Sequence, residues 1–122
     1  MDKNKRSDNP LVNKSFEFAK QILIFGDKLT EDKRYVIANQ IVKSGTSIGA
    51  NINEAQNAES KSDFLHKLKI ATKEAEEVEY WLLLISEVYK QYPIKHLLAN
   101  VSEILKILNS AISTIKRNNN FK

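Results

Sequence analysis

The run from Gln40 to Ala55 most constrains what this chain can fold into, because its small and apolar residues recur with the period of a helix. At about 100° per residue they share roughly a third of the circumference: Ile37, Ile41, Ser44, Gly45, Ile48, Ile52 and Ala55. Gly45, Ser47 and Gly49 add small side chains that let a neighbouring backbone approach closely. The pattern predicts the tightly packed middle of a buried helix, rather than a glycine-rich loop.

Composition favours one helical domain. The 122 residues include three glycines and two prolines, too few for the turns of a sandwich or barrel. There is no cysteine, which excludes disulfides and suits a reducing cytoplasm. No apolar run approaches the roughly 18 residues of a membrane span, and residues 1–8 lack the apolar core of a signal peptide. We therefore expect a cytoplasmic, all-α protein with no membrane partner.

Helix-start signals divide the chain into four helices. Asn9 and Pro10 start the first, which is expected to end near Lys28, and Thr30 caps a second from Glu31 to about Ala58. The third follows a cap at Ser60 or Ser62, and Pro93 falls in the first turn of the fourth. Because the links are short, we predict an antiparallel up-down-up-down four-helix bundle at residues 9–117. Residues 1–8 are expected to be a disordered basic segment and residues 118–122 a tail.

The first helix carries two apolar stripes. One contains Leu11, Phe18, Ile22, Phe25 and Leu29, and the other contains Val12, Phe16, Ala19 and Leu23. Together they cover about half the circumference, more than a surface helix needs. Two interpretations stay open: a helix inside a thick core, or a second stripe that packs against another subunit.

Several motifs resemble those of one known family. They are Asn9-Pro10-Leu11-Val12, Ser44-Gly45-Thr46-Ser47-Ile48-Gly49-Ala50-Asn51-Ile52, Asp63-Phe64, Lys67-Leu68-Lys69-Ile70-Ala71 and Tyr80-Trp81-Leu82. Over about residues 9–90 the chain resembles the four-helix-bundle proteins encoded by intervening sequences in bacterial 23S ribosomal RNA genes.

The resemblance implies a four-helix bundle that assembles into a ring-like homopentamer. It establishes no catalytic residue. A related branch, the accessory variability proteins of diversity-generating retroelements, binds nucleic acid and a reverse transcriptase. The resemblance thus adds RNA, DNA and a reverse transcriptase or another protein to the expected partners.

Two motifs have a catalytic or metal-binding role in other proteins, but a structural role explains each of them better here. Gly45-x-Ser47-x-Gly49 matches the nucleophile elbow, but that motif needs a preceding strand and a hydrolase sheet. Asp63-x-x-His66 matches half of a di-iron pair, but the second pair is missing. We therefore expect no enzymatic activity, no catalytic residue, no metal and no cofactor.

Charge distribution is the one functional hint. In an up-down bundle, ten basic residues would gather at one pole against the acids Asp2, Asp8, Glu59 and Asp63: Lys3, Lys5, Arg6, Lys14, Lys61, Lys67, Lys69, Lys116, Arg117 and Lys122. We call the set Lys61, Lys67, Lys69, Lys116 and Arg117 the basic pole. Such a surface would attract a polyanion.

A polar row accompanies the apolar stripe of the second helix. It consists of Gln40, Ser47, Asn51 and Glu54, and we interpret it as a rim that is hydrogen-bonded across helices or subunits. The sequence thus favours a non-enzymatic oligomeric scaffold that binds RNA or DNA non-specifically through the basic pole. The alternative is a protein-protein adaptor without nucleic-acid contact.

Overall fold

The computed structural model describes residues 8–118, which form a four-helix bundle. The helices are α1 (Pro10–Glu31), α2 (Tyr35–Gln56), α3 (Lys61–Val88) and α4 (Lys95–Asn118). Residues 8–118 contain no strand, in agreement with the predicted all-α class. The predicted basic segment at residues 1–8 and the tail at 118–122 lie almost wholly outside the described residues, and Asn118 is the last residue of α4.

Each helix packs against two others and contributes to one core. α1 contacts α2 and α4, and α3 contacts the same two helices. The largest fully buried side chains come from all four helices: Phe18, Ile22, Leu29, Ile41, Ile48, Ile52, Leu68, Leu82, Ile85, Leu97, Ile104 and Leu108. Their burial supplies the main stabilising free energy of the fold.

Two of the predicted helix starts match the structure. The side chain of Asn9 accepts a hydrogen bond of 2.9 Å from the backbone N–H of Leu11, so Asn9 caps α1. At α3, the Ser60 hydroxyl oxygen accepts a hydrogen bond of 3.0 Å from the backbone N–H of Asp63. Each contact satisfies a backbone donor that the first helical turn leaves unpaired.

The predicted boundary between the first two helices is wrong. Thr30 lies within α1, which continues to Glu31, and α2 begins only at Tyr35. Burial explains the difference, because Leu29 is completely buried and keeps the last turn of α1 against the core. Between the two helices, Lys33 has a φ of 65°, which lies in the left-handed region. Tertiary packing thus overrides the local capping signal at Thr30.

The link before α4 also differs from the prediction. α4 begins at Lys95, so Pro93 precedes the helix instead of lying in its first turn. Tyr92 and Ile94, on either side of this proline, are both buried. These two side chains therefore hold the link against the core, and α4 begins at the residue after Ile94.

Candidate functional site

The basic pole consists of two groups of residues at helix ends. Lys61, Lys67 and Lys69 lie in the first three turns of α3, and Lys116 and Arg117 lie in the last turn of α4. Lys67 is partly buried, and the other four are exposed.

Carboxylates neutralise part of this positive charge. The ammonium of Lys67 donates a 2.8 Å hydrogen bond to Glu54 of α2, which raises the pKa of Lys67 above its ordinary value. Lys14 of α1, which is outside the basic pole but among the ten basic residues expected at this end, forms a 2.9 Å ion pair with Glu103 of α4. Both acids lie outside the four that the sequence placed at this pole, because their positions depend on which helices pack together.

Three other cations of the basic pole, unlike Lys67, have no carboxylate partner within the part of the chain that the structure describes. Lys69, Lys116 and Arg117 are exposed, and within residues 8–118 none of them forms a salt bridge. Their charge is therefore available to an external polyanion.

The small residues of α2 face α1. A Cβ added to Gly45 would lie 2.6 Å from Cγ2 of Ile22, so this position has no space for a side chain. A Cβ on Gly49 would lie 3.4 Å from the carbonyl oxygen of Ser15, which is an ordinary van der Waals contact. We call this region, where Gly45 and Gly49 meet Ile22 and Ser15, the α1–α2 seam.

Gly26 of α1 belongs to the same seam, although the sequence pattern did not reveal it. A Cβ on Gly26 would collide with Cγ2 of Val42 on α2. Gly26 lies four residues after Ile22 and three before Leu29 on the buried face of α1, but only the position of the facing helix shows how closely the two helices approach there.

Ser47 occupies an ordinary helical position. Its hydroxyl donates a 2.7 Å hydrogen bond to the backbone carbonyl of Lys43, one turn earlier. The side chain is partly buried within α2, with no strand-to-helix turn to present it. A nucleophile elbow requires such a turn, so this geometry does not match one.

The polar row divides into local and cross-helix contacts. The Asn51 amide donates a 2.9 Å hydrogen bond to the backbone carbonyl of Ser47, so it stays within α2. Glu54 instead reaches Lys67 of α3. The side chain of Gln40 is exposed, while its backbone carbonyl accepts a 2.8 Å hydrogen bond from the hydroxyl of Ser44.

Apolar side chains remain exposed on at least two surfaces of residues 8–118. The first, here called the α2–α3 patch, combines Tyr35, Val36, Leu84 and Val88. Val36 is 80% exposed and Val88 is 63% exposed, and the four residues line a groove of about 370 Å³. Exposed side chains of this kind, when contiguous, mark interaction sites on soluble proteins.

The second surface is the outer stripe of α1, formed by Val12, Phe16, Ala19 and Leu23. Leu23 is 49% exposed, and the other three are partly buried. Three residues of the stripe are therefore partly covered within the protomer, and Leu23 leaves apolar area in solvent. Both interpretations of the stripe, core packing and contact with another subunit, stay open.

A cluster of polar and aromatic residues joins the α1–α2 turn to the α3–α4 link. The phenolic hydroxyl of Tyr92 donates a 2.5 Å hydrogen bond to Asp32, which lowers the pKa of the Asp32 carboxyl and raises that of Tyr92. The guanidinium of Arg34 lies 4.2 Å from the ring centre of Tyr89. Sequence reasoning missed this cluster because it assigned Asp32 to the first turn of a helix.

Comparison with known proteins identifies the family. The family profile of the 23S rRNA-intervening sequence protein matches residues 7–110. This chain belongs to the 23S rRNA-intervening sequence protein family. A search of curated proteins gives no significant match.

A solved structure supports the same family assignment. It is a crystal structure of a protein with unknown function from the S23 ribosomal protein family of Bacteroides thetaiotaomicron VPI-5482. The two chains share 42% identity, and the match covers 84% of this chain and 97% of the other, with a TM-score of 0.77. The likeness confirms the predicted family, whose fold is helical.

A metal-ligand cluster and a membrane-spanning helix are both absent from residues 8–118. His66 is exposed, and residues 8–118 bring together no group of three His, Cys, Asp or Glu side chains that could hold a metal ion. Within the same residues, no helix combines the length and apolar character that crossing a bilayer requires.

Proposed function

We propose that this protein is a non-enzymatic scaffold that assembles with copies of itself. The observation that carries the proposal is the α2–α3 patch, in which Val36 and Val88 keep more than half of their surface in solvent. Apolar area of this kind gains free energy when another protein surface covers it. The outer stripe of α1 adds a second surface on a different helix.

Two different surfaces favour a ring. When one surface of a subunit binds a different surface of the next, the contact is heterologous, and repeated contacts close into a ring if the rotation between subunits permits. The ring-like homopentamer implied by the family resemblance is an assembly of this type.

Within each subunit, the proposed arrangement is antiparallel up-down-up-down. Three cross-helix contacts support it. Ser15, early in α1, lies opposite Gly49 in the later part of α2, and Lys14 meets Glu103, the ninth residue of α4. Near the other end of α1, Asp32 meets Tyr92 at the link before α4. This arrangement would bring the start of α3 and the end of α4 to the same end of the bundle.

Non-specific binding of RNA or DNA is the second candidate function. It is favoured by Lys69, Lys116 and Arg117, which are exposed and have no carboxylate partner within residues 8–118. A ring would multiply these charges on one face, and clustered positive charge attracts phosphates without reading base sequence. The pairing of Lys67 with Glu54 leaves that residue a smaller role than the sequence suggested.

The size of the particle in solution tests the proposal. Light scattering of the full chain at micromolar concentration is expected to give a mass several times that of a protomer. A monomer would contradict self-assembly and would favour the alternative, an adaptor whose α2–α3 patch binds a different protein.

A further inference from the structure

The cavity between α1 and the start of α4 has the size and lining of a small-molecule site. Its volume is about 490 Å³, within the roughly 300–1,000 Å³ typical of ligand pockets. Ile24, Phe25, Tyr92, Pro93 and Leu97 provide apolar walls. Polar residues Gln21, Lys28, Asp32, Gln91 and His96 complete the lining. The cavity lies beside the Asp32–Tyr92 contact, and none of its lining residues belongs to the basic pole or to the α2–α3 patch.

One wall is aromatic and held in place. The rings of Phe25 and Tyr92 meet edge to face, with 5.7 Å between their centres and an angle of 87°. Tyr92 is buried, and its hydroxyl is fixed by the hydrogen bond to Asp32. A flat aromatic ligand would therefore meet a preformed surface, and little conformational entropy would be lost on binding.

The charges at the mouth of the cavity compensate one another. The ammonium of Lys28 lies 3.4 Å from Asp32 and 3.6 Å from Glu31, and these carboxylates raise the pKa of Lys28. An anionic ligand would compete with two carboxylates for this lysine, and a cationic ligand would compete with the lysine for Asp32. The arrangement favours a ligand without net charge.

Neutral hydrogen-bonding groups also line the cavity. Gln21 accepts a 2.8 Å hydrogen bond from Asn100 through its carbonyl oxygen, which leaves its amide N–H groups as donors. Gln91 supplies a second carboxamide. These groups suit a ligand that carries a polar edge on an apolar ring system.

We propose that this cavity binds an uncharged aromatic heterocycle of one or two fused rings. The site shares no residue with the surfaces proposed for self-assembly or for nucleic-acid binding, and it adds a small-molecule function to the scaffold. Indole is a suitable probe because it is planar and uncharged and has one N–H donor. Its charged analogues, indole-3-acetate and tryptamine, test the preference for a neutral ligand.

The test is NMR titration of the full chain with each probe. Indole is expected to shift the signals of Phe25, Tyr92 and Leu97 in a saturable manner, and both charged analogues are expected to bind at least several-fold more weakly. Equal shifts at Val36 and Val88 would show general adsorption to apolar surface and would overturn the proposal. Equal or tighter binding of either charged analogue would overturn the assigned ligand class.

A matched pair of variants localises the binding. Ile24 is 71% exposed at the cavity, so Ile24→Asp is expected to preserve the fold and to weaken indole binding at least tenfold. Leu83 is 51% exposed and lies outside the cavity lining, so Leu83→Asp is expected to bind indole as the parent does. Unchanged binding by Ile24→Asp, with helical content retained in circular dichroism, would contradict the site.

Discussion

The hydroxyl of Tyr92 donates a 2.5 Å hydrogen bond to the carboxylate of Asp32, across 60 positions of the chain. Asp32 is the C-cap residue that follows α1, and Tyr92 lies in the link that precedes α4. The contact therefore ties the link between α1 and α2 to the link between α3 and α4. Lys28 adds a second partner for the same carboxylate at 3.4 Å.

Removing this hydrogen bond is expected to destabilise the fold in a pH-dependent way. The pKa of Asp32 is lowered in the folded state, chiefly by the Tyr92 hydroxyl, so its contribution is present above the ordinary value of 3.8 and is lost as the pH falls through the lowered pKa. The pKa of Tyr92 is raised, chiefly by Asp32, so its contribution is present below the ordinary value of 10.0 and is lost as the pH rises through the raised pKa.

Urea unfolding of Tyr92→Phe across this pH range measures the effect. The loss of stability relative to the parent is expected to be greatest near neutral pH and to shrink in strong acid and in strong alkali. Tyr89→Phe is the control, since Tyr89 meets Arg34 and Tyr92 through its ring. A loss of stability that does not vary with pH would contradict the assigned role of the Asp32 carboxylate.

Substitution of the two α2 glycines of the α1–α2 seam is expected to have different effects, because the space beside each differs. Gly45→Ala places a methyl group against the β-branched Ile22, and overpacking of about 1–3 kcal/mol should exceed the helix-propensity gain of about 1 kcal/mol. Gly49→Ala meets only an ordinary contact with Ser15, so it should leave the free energy of unfolding unchanged or raise it by up to about 1 kcal/mol. Urea denaturation measures both.

Larger side chains extend the comparison. Gly49→Leu is expected to overpack the seam and cost about 1–3 kcal/mol, because the facing atoms include the backbone of Ser15. Ser47→Ala should change the free energy of unfolding by no more than about 0.5 kcal/mol, since its hydroxyl bonds only within α2. A Gly49→Leu variant as stable as the parent would show that α1 and α2 are not closely packed there.

Self-assembly is expected to depend on the two apolar surfaces. Val36→Glu and Leu23→Glu each place a charge in a surface that assembly would bury, and each should weaken association at least tenfold. Analytical ultracentrifugation over a concentration series measures the shift toward smaller species. Leu83→Glu is a control with similar exposure outside both surfaces, and an equal shift in that variant would contradict the assignment of the interfaces.

Nucleic-acid binding, if carried by the basic pole, should respond to charge alone. Replacing Lys69, Lys116 and Arg117 with Gln is expected to weaken RNA and DNA binding uniformly across sequences. The slope of log affinity against log salt should fall by about one for each lysine or arginine that no longer neutralises a phosphate. Fluorescence anisotropy at several salt concentrations measures both quantities.

The matched control replaces three exposed lysines from the other end of the helices, Lys33, Lys90 and Lys95, with Gln. This variant should bind as the parent does. An equal loss of affinity in the control would show that the basic pole has no special role, and an absence of binding by the parent at low salt would favour a scaffold that acts only on proteins.

The sequence alone determined the number of helices and most of the core. The recurrence of Ile41, Ile48 and Ile52 at helical spacing predicted the buried face of α2, and all three are fully buried. The caps at Asn9 and Ser60 were also predictable, because a capping side chain acts on a backbone group two or three residues away. Family membership was predictable as well, because the short motifs that carry it are visible without the tertiary structure.

Tertiary structure decided what depends on a second helix. The buried Leu29 extended α1 past the cap signal at Thr30, and Gly26 acquired a role only because Val42 faces it. Glu54 of α2 pairs with Lys67 of α3 and neutralises part of its charge. Asp32 accepts a hydrogen bond from Tyr92, which lies 60 positions away in the chain. Local propensities are worth about 1 kcal/mol or less per residue, so the burial of a large side chain or a close approach of two helices outweighs them.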